Sequence, residues 1–171
     1  MADHDQPNIE TSPLSLLERR SIEARVLGPL IRGFSQELGS AKTLEIVRSV
    51  ITELARESGK ALARTLGESS LEAFATCIDL WKEGGALEIE MLEASADRLD
   101  FNFTRCRFAE MYRALGLGDL GSSLSCQRDF ALVEGFNPEI ALTRTQTIME
   151  GAAYCDFRFR RRDSADSSGP S

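Results

Sequence analysis

Histidine is almost absent from this chain. Among its 171 residues the only imidazole belongs to His4, in a polar segment that precedes the first apolar pattern. Catalysis by a Ser-His-Asp or Cys-His arrangement is therefore not expected from the folded part. The same scarcity argues against a metal site built on histidine ligands.

Long apolar runs are missing as well. No stretch reaches the length of about 18 apolar residues that a membrane span needs, so no membrane partner is predicted. The segment 1–13 also lacks the apolar core of a signal peptide. We therefore expect a cytoplasmic protein, whose four cysteines are thiols rather than disulfides.

Positive charge is in deficit. The net charge is -7, with 20 basic against 27 acidic residues. A nucleic-acid partner is not expected, because neutralising phosphates needs a basic face. The hydrophobic fraction of 42% and the charged fraction of 27% are ordinary for one globular domain.

The N-terminal half has the apolar spacing of helices. Ser15 and Glu18 have capping-box spacing and predict the start of a first helix, which Pro29 is expected to kink or interrupt. A second amphipathic run ends at Gly67 and a third at Gly84. Three helices are therefore predicted before the chain changes character.

From residue 87 onward apolar and polar residues alternate, which is typical of half-buried strands. Strands are predicted on either side of a turn near 94–97 and on either side of a turn at Gly151. Helices are predicted over 107–115 and 126–134, joined by a Gly/Ser-rich loop. The fold class is α+β: a helical N-terminal half and a C-terminal antiparallel sheet of two β-hairpins with intervening helices.

One domain is expected over residues 14–162. The polar segment 1–13 and the Ser- and Asp-rich segment 163–171 are predicted to be disordered tails. The alternating apolar strands can bury their faces within one chain or across a homodimer.

Cys126 and Asp129 form the first candidate pair for chemistry. Ser125 is a good N-cap, which predicts that Cys126 lies in the first turn of a short helix, where the helix dipole favours a thiolate. Asp129 is three residues further on and faces the same side. The alternative interpretation is a buried thiol beside an aspartate that only stabilises the helix.

Cys155 and Asp156 form a second pair, in the last predicted strand. Neighbours in a strand point to opposite faces, so Cys155 is expected to face the core and Asp156 to pair with an arginine such as Arg158. Cys106 closes an earlier strand, where pockets are common. Three cysteines and two aspartates are also potential metal ligands, but no Cys-x-x-Cys spacing is present and no cofactor is expected; zinc or iron is the alternative.

Three segments together carry a family resemblance. They are Cys106 before a helix that ends in Leu115-Gly116, the motif Cys126-x-x-Asp129, and Gly151-x-x-x-Cys155-Asp156-Phe157-Arg158. Over about residues 100–165 the chain resembles the L-2-amino-thiazoline-4-carboxylic acid hydrolase family. The resemblance implies hydrolytic ring opening, by C–N bond cleavage, of a cyclic amidine such as 2-aminothiazoline-4-carboxylate to a carbamoyl-cysteine.

The resemblance also implies the site. Its motif positions in this chain are Cys106, Cys126, Asp129, Gly151, Cys155 and Asp156. Within it, Cys126 is the candidate nucleophile and Asp129 the general acid and base, with Cys155 and Asp156 completing the pocket. The substrate carboxylate is assigned to an arginine, with three candidates: Arg105, Arg144 and Arg158.

Two other functions fit the same residues. One is a metal-dependent hydrolase in which Cys106, Cys126 and Cys155, with an aspartate, bind zinc or iron. The other is a non-catalytic small-molecule-binding domain of the vinyl-4-reductase type, which rests on fold analogy alone. In every case the expected partner is a small molecule.

Overall fold

A computed structural model describes residues 14–162, and the two predicted tails lie outside the described residues. Within the described residues there are six α-helices: α1 Leu16–Leu38, α2 Ser40–Leu66, α3 Leu71–Lys82, α4 Arg107–Ala114, α5 Gly118–Gly121 and α6 Arg128–Phe136. Four strands follow or separate them: β1 Leu87–Ala94, β2 Arg98–Cys106, β3 Ile140–Thr143 and β4 Cys155–Arg161. The α+β class is confirmed.

The helical half follows its sequence signals closely. Ser15 Oγ accepts a hydrogen bond from the Glu18 amide at 3.3 Å, and the Ser15 amide donates to the Glu18 carboxylate at 2.9 Å, which is the predicted capping box. Of the two outcomes predicted at Pro29, the interruption is wrong, because α1 continues to Leu38, and the kink stays a prediction. Gly28 and Ile31 are buried on either side of the proline and anchor both halves of the helix.

The sheet has the order β1-β2-β4-β3, and all its pairs are antiparallel. The two predicted hairpins are therefore present, joined through β2 and β4. Phe101 pairs with Phe157 in that register, and both side chains are buried on the face that packs against the helices. The opposite face is polar: Arg160 donates to Asp100 across the same strands.

The predicted loop between α4 and α6 is wrong. The chain leaves α4 through Gly116, whose φ of 68° is left-handed. It then forms α5, a π-helical turn over Ser122–Cys126, and α6. Leu117, Leu120 and Leu124 are buried at helical spacing, and this packing overrides the high content of glycine and serine.

Two hydrophobic clusters make up the core. One combines the aromatic face of the sheet with α3 and α6, and the other combines α1, α2, α4 and α5. Cys106 packs against both clusters, which places it where the two halves of the domain meet. Within residues 14–162, none of the helices has the combined length and apolar character that a bilayer crossing demands.

Candidate functional site

A cavity of about 130 Å³ lies at the junction of the two clusters. Aromatic side chains provide much of its wall: Phe74, Trp81, Phe103, Phe108, Phe157 and Phe159. The polar residues that reach it are Arg20, Cys106, Ser125, Cys126, Arg128, Asp129, Arg144 and Cys155. An apolar cavity with a few convergent polar groups is the usual form of a small-molecule site.

The fold brings together five of the residues predicted from the sequence. Cys106, Cys126, Asp129, Arg144 and Cys155 all line the cavity. They come from five separate parts of the chain: the end of β2, the π-helical turn, α6, the segment after β3, and the start of β4. Pleating places Cys155 on the inner face of β4, as predicted, because Phe157 and Phe159 share that face.

Asp156 points away from the cavity. Its carboxylate accepts hydrogen bonds from the amides of Thr145 at 3.0 Å and Gln146 at 2.9 Å, and from Thr145 Oγ1 at 2.7 Å. The predicted pairing with an arginine is therefore wrong. The carboxylate instead holds the segment that follows β3, and Arg144 lies in that segment.

Arg158, Arg105 and Gly151 also lie outside the cavity lining. Arg158 donates to the Phe101 carbonyl at 2.8 Å on the outer face of the sheet. Arg105 is half exposed and pairs with Glu110 at 2.8 Å. Gly151 occupies a turn with φ of 101°, a conformation that favours glycine, so its place in the motif is explained by the backbone.

Arg144 and Asp129 form the central ion pair of the site. Arg144 Nη1 donates to Asp129 Oδ2, and Nη2 donates to the Cys126 carbonyl at 3.1 Å. The Arg144 side chain is only 7% exposed, and its guanidinium carbon lies 4.9 Å from the ring centroid of Phe130 and 5.2 Å from that of Phe157. These contacts fix the position of the Arg144 guanidinium, which in turn orients the Asp129 carboxylate.

Asp129 lies deep in the protein but remains reachable from the cavity. Its side chain keeps 38% of its surface accessible, because the carboxylate faces the open space. Burial raises the pKa of Asp129 to about 6, and the nearby charge of Arg144 limits that rise. A carboxyl group with this pKa can accept and return a proton near neutral pH.

Cys126 is not in the first turn of a helix, so that prediction is wrong. It ends the π-helical turn Ser122–Cys126, and the Gln127 amide already donates to the Ser122 carbonyl at 3.0 Å. Helical structure begins upstream, at α5, so no helix N-terminus favours a thiolate at Cys126. Burial, together with the negative charge of Asp129, raises the pKa of Cys126 far above its usual range.

Cys106 has the position that the dipole argument requires. It is the N-cap residue of α4, which is eight residues long. Burial raises the pKa of Cys106, while the backbone N–H groups of Ala109 and Phe108 act in the opposite direction. Burial also raises the pKa of Cys155 to about 11, and Cys155 Sγ accepts a hydrogen bond from the Ile148 amide at 3.1 Å.

Arg20 and Arg128 are cavity residues that the sequence reasoning missed. Their side chains are 17% and 13% exposed, and both contact Glu23, at 2.6 and 3.4 Å. Arg128 Nε also donates to the Leu124 carbonyl at 2.8 Å. One signal was available: Arg20 lies between Leu16 and Ala24 at four-residue spacing, so it occupies the inward face of α1.

The zinc or iron alternative finds no geometric counterpart. Among residues 14–162, no three Cys, His, Asp or Glu side chains are arranged to share a metal ion. The three cysteines nevertheless line one cavity, and metal binding stays a prediction.

Comparison with known proteins gives the family. The sequence model of the L-2-amino-thiazoline-4-carboxylic acid hydrolases matches residues 19–159. The chain belongs to this family. The match confirms the resemblance found in the C-terminal half and extends it over α1 and α2, so the hydrolase family includes the helix that carries Arg20.

A solved structure is similar in fold to this family member. It is the phenol-responsive sensory domain of the transcription activator PoxR, crystallised with phenol. The TM-score is 0.52 at 10% identity, over 80% of this chain and 73% of that chain. A search of the curated proteins finds no match. The likeness to PoxR shows the fold alone.

Proposed function

We propose that this chain is a hydrolase that opens the ring of 2-aminothiazoline-4-carboxylate or a closely related cyclic amidine. The observation that carries the proposal is the aromatic cavity in which three thiols and the Asp129 carboxyl converge. Its volume of about 130 Å³ suits a single small ring, since cavities of roughly 150 Å³ bind benzene. Membership of the hydrolase family supports the reaction type.

The substrate carboxylate is assigned to Arg20 and Arg128. These two guanidinium groups share one carboxylate, that of Glu23, which leaves one positive charge in excess. Arg20 Nη2 and Arg128 Nη1 have no hydrogen-bond partner among the described residues. A second carboxylate, from the ligand, would balance the charge and accept these N–H groups.

Cys106 is the proposed nucleophile. Its thiol loses a proton to Asp129, and the sulfur adds to the ring carbon that is bonded to both nitrogens and to the ring sulfur. On this addition the ring nitrogen takes the proton that Asp129 received from the thiol. The adduct then collapses with cleavage of the bond from this carbon to the ring nitrogen, while the exocyclic amino group gives one proton to the departing nitrogen and forms a C=N double bond with the same carbon. Water, deprotonated by Asp129, then adds to the same carbon and releases the Cys106 thiol, leaving a carbamoyl-cysteine.

Cys126 is the alternative nucleophile, as proposed from the sequence. Two observations favour Cys106: it occupies the N-cap position of α4, and the amides of Phe108 and Ala109 favour its thiolate. Cys126 has neither feature, and the negative charge of Asp129 disfavours the thiolate of both cysteines. Cys126 and Cys155 are then wall residues that shape the pocket around the ring.

The test is turnover of 2-aminothiazoline-4-carboxylate by the purified full chain, with the product followed by mass spectrometry. Cys106→Ala is expected to abolish formation of the carbamoyl-cysteine and of any covalent adduct, whereas Cys126→Ala retains both. Cys77→Ala, in a buried cysteine of α3 outside the cavity, is the matched control. Full activity in Cys106→Ala would reject this nucleophile, and an inactive wild-type chain would reject the hydrolase.

Two outcomes of the same experiment lead to the other functions. Tight binding of the thiazoline without turnover favours a small-molecule-binding domain, which the aromatic cavity and the fold shared with a phenol-responsive sensory domain support. Metal content is measured alongside by elemental mass spectrometry. About one zinc or iron per chain, lost in Cys126→Ser, would make the cysteines ligands and replace the thiol mechanism.

A further inference from the structure

The outer side of α1 and α2 is apolar and uncovered. Eight large apolar side chains stand there between 46% and 57% exposed: Ile22, Val26, Leu30, Phe34, Leu38, Ile46, Val50 and Leu54. Singly exposed apolar residues are ordinary on a protein surface, but a contiguous set of this size marks an interaction site.

The spacing of these residues forms a ridge on each helix. Along α1 every fourth residue from Ile22 to Leu38 belongs to the set, and along α2 every fourth residue from Ile46 to Leu54. Side chains four apart form one of the two ridge types through which helices pack. We call these two rows the α1 ridge and the α2 ridge.

A groove runs between the two ridges. It has a volume of about 290 Å³, and its lining is apolar apart from Thr43. Its walls include Phe34 from the α1 ridge and Val50 from the α2 ridge, and Leu27 and Val47 also line it. The surface therefore offers both elements of helix packing, a ridge to insert and a groove to receive one.

The exposed area matches half of a dimer interface. If roughly 150 Å², the lower bound for an aromatic side chain, is taken as an upper limit for each of these side chains, the eight half-exposed side chains present up to about 600 Å². That reaches the upper end of the largest apolar patch on a typical monomer, about 300–600 Å². With the polar atoms that flank it, the patch approaches the ~800 Å² that each partner buries in a standard stable complex.

A second copy of this chain fits the patch by its symmetry. The commonest helix packing inserts a four-residue ridge of one helix between four-residue ridges of another, so both partners need the same ridge type. A twofold axis supplies this requirement automatically, because each copy brings the α1 ridge and the same groove.

The β1 edge of the sheet is a competing interface, and its charges oppose association there. β1 is an edge strand, and it carries Glu88, Glu90 and Glu93 beside the exposed Met91 and Leu92. Pairing two copies of β1 would bring like charges together, which is how native edge strands resist association.

We infer that this protein is a homodimer whose twofold interface is formed by the α1 ridge, the α2 ridge and the groove between them. Phe34 lines the groove and is the central anchor of the contact, because large aromatic side chains dominate interface energetics. The inference does not depend on the reaction in the cavity.

Sedimentation velocity of the full chain over a range of micromolar concentrations tests the proposal. The wild type is expected at the mass of two chains, and Phe34→Glu is expected to weaken dimerisation by at least about 30-fold, the loss typical of a central anchor. Leu92→Glu is the matched control, because Leu92 on β1 is 50% exposed and Phe34 is 55% exposed. Circular dichroism checks that both variants remain folded.

Three results would overturn the proposal. The first is a wild type that sediments as a monomer throughout the range, which would leave the patch to a different partner. The second is a dimer that persists in both Phe34→Glu and Leu30→Glu. The third is a dimer that Leu92→Glu dissociates, which would place the interface at the edge of the sheet.

Discussion

Helix α2 has two sides that pack in opposite ways. On the side facing α6, the backbones of the two helices are in direct contact at two glycines. A Cβ atom added to Gly59 of α2 would lie 2.0 Å from a backbone oxygen of α6, and a Cβ atom added to Gly135 of α6 would lie 2.0 Å from a backbone oxygen of α2. Toward α1, large side chains stand apart and leave an apolar groove. The close side holds α6, which carries Arg128 and Asp129 into the cavity, while the open side is available to a partner.

The two sides of α2 therefore serve different proposed roles, the closely packed side in catalysis and the open side in association of two chains. Changes in the cavity should alter turnover and leave the mass of the particle unchanged, whereas changes on the open side should do the reverse. The substitutions below test that separation, beginning with the largest expected effect.

Asp129→Asn should reduce kcat by about 10²–10⁴-fold, because it removes the proposed general acid and base. The measurement is steady-state turnover of 2-aminothiazoline-4-carboxylate, with sedimentation to confirm an unchanged mass. Asp119→Asn is the control, since Asp119 forms an exposed ion pair with Arg32 at 2.7 Å outside the cavity. Wild-type rates in Asp129→Asn would remove this residue from the mechanism.

The same site predicts the pH dependence of turnover. The pKa of Asp129 is raised to about 6 by burial, and the first step needs the carboxylate to accept the thiol proton. The wild-type kcat should therefore rise with pH through a midpoint close to that pKa and level off above it. A rate that falls over the same interval would instead assign the protonated carboxyl to the first step.

Gly59→Ala should lower the free energy of unfolding by about 3 kcal/mol, because the added methyl group meets backbone that cannot move aside without separating α2 from α6. Urea titration followed by circular dichroism measures the change. Since α6 carries Asp129, kcat should fall as well, at a concentration of variant that is still fully folded. A variant as stable as the wild type would mean that the two helices do not approach so closely.

Arg128→Gln should raise the KM for 2-aminothiazoline-4-carboxylate by about 10- to 100-fold, the range expected for one charge-assisted hydrogen bond. The KM for the corresponding carboxamide should change little, because it has no negative charge to lose. Arg32→Gln, in the exposed pair with Asp119, is the matched control. Equal losses for both substrates would indicate that Arg128 supports the structure of α6 rather than the ligand.

Local patterns predicted much of this fold. The helix that begins at Ser15, the stop at Gly67 and the inward side chain of Cys155 all depend on neighbours in sequence, so capping and periodicity are sufficient to find them. The helical structure after Gly116 could not be found in this way. Glycine and serine indicate a loop there, and only the burial of Leu120 and its neighbours explains why the chain coils.

The site was predictable only in its reactive groups. Cys106, Cys126 and Asp129 are unusual residues in a family motif, but the choice of arginine depended on which strand face and which helix reach the cavity. Arg158 lies on the wrong face of the sheet, and Arg20 comes from a helix that the motif does not include. The apolar spacing in α1 likewise predicts a helix face that is buried. It does not indicate whether another part of the same chain or a second molecule buries that face.

Gly33→Ala should give the smallest effect and sharpen the contrast with Gly59. Gly33 is exposed within α1, and a Cβ atom there would have no neighbour within 4 Å. Alanine restricts the unfolded chain and favours helix, so the free energy of unfolding should rise by about 0.5–1 kcal/mol. Urea titration of both variants should show a higher free energy of unfolding for Gly33→Ala and a lower one for Gly59→Ala. If Gly33→Ala is destabilising and also weakens the dimer, then the second copy approaches the α1 backbone at Gly33, and this part of the open side is as closely packed as the contact between α2 and α6.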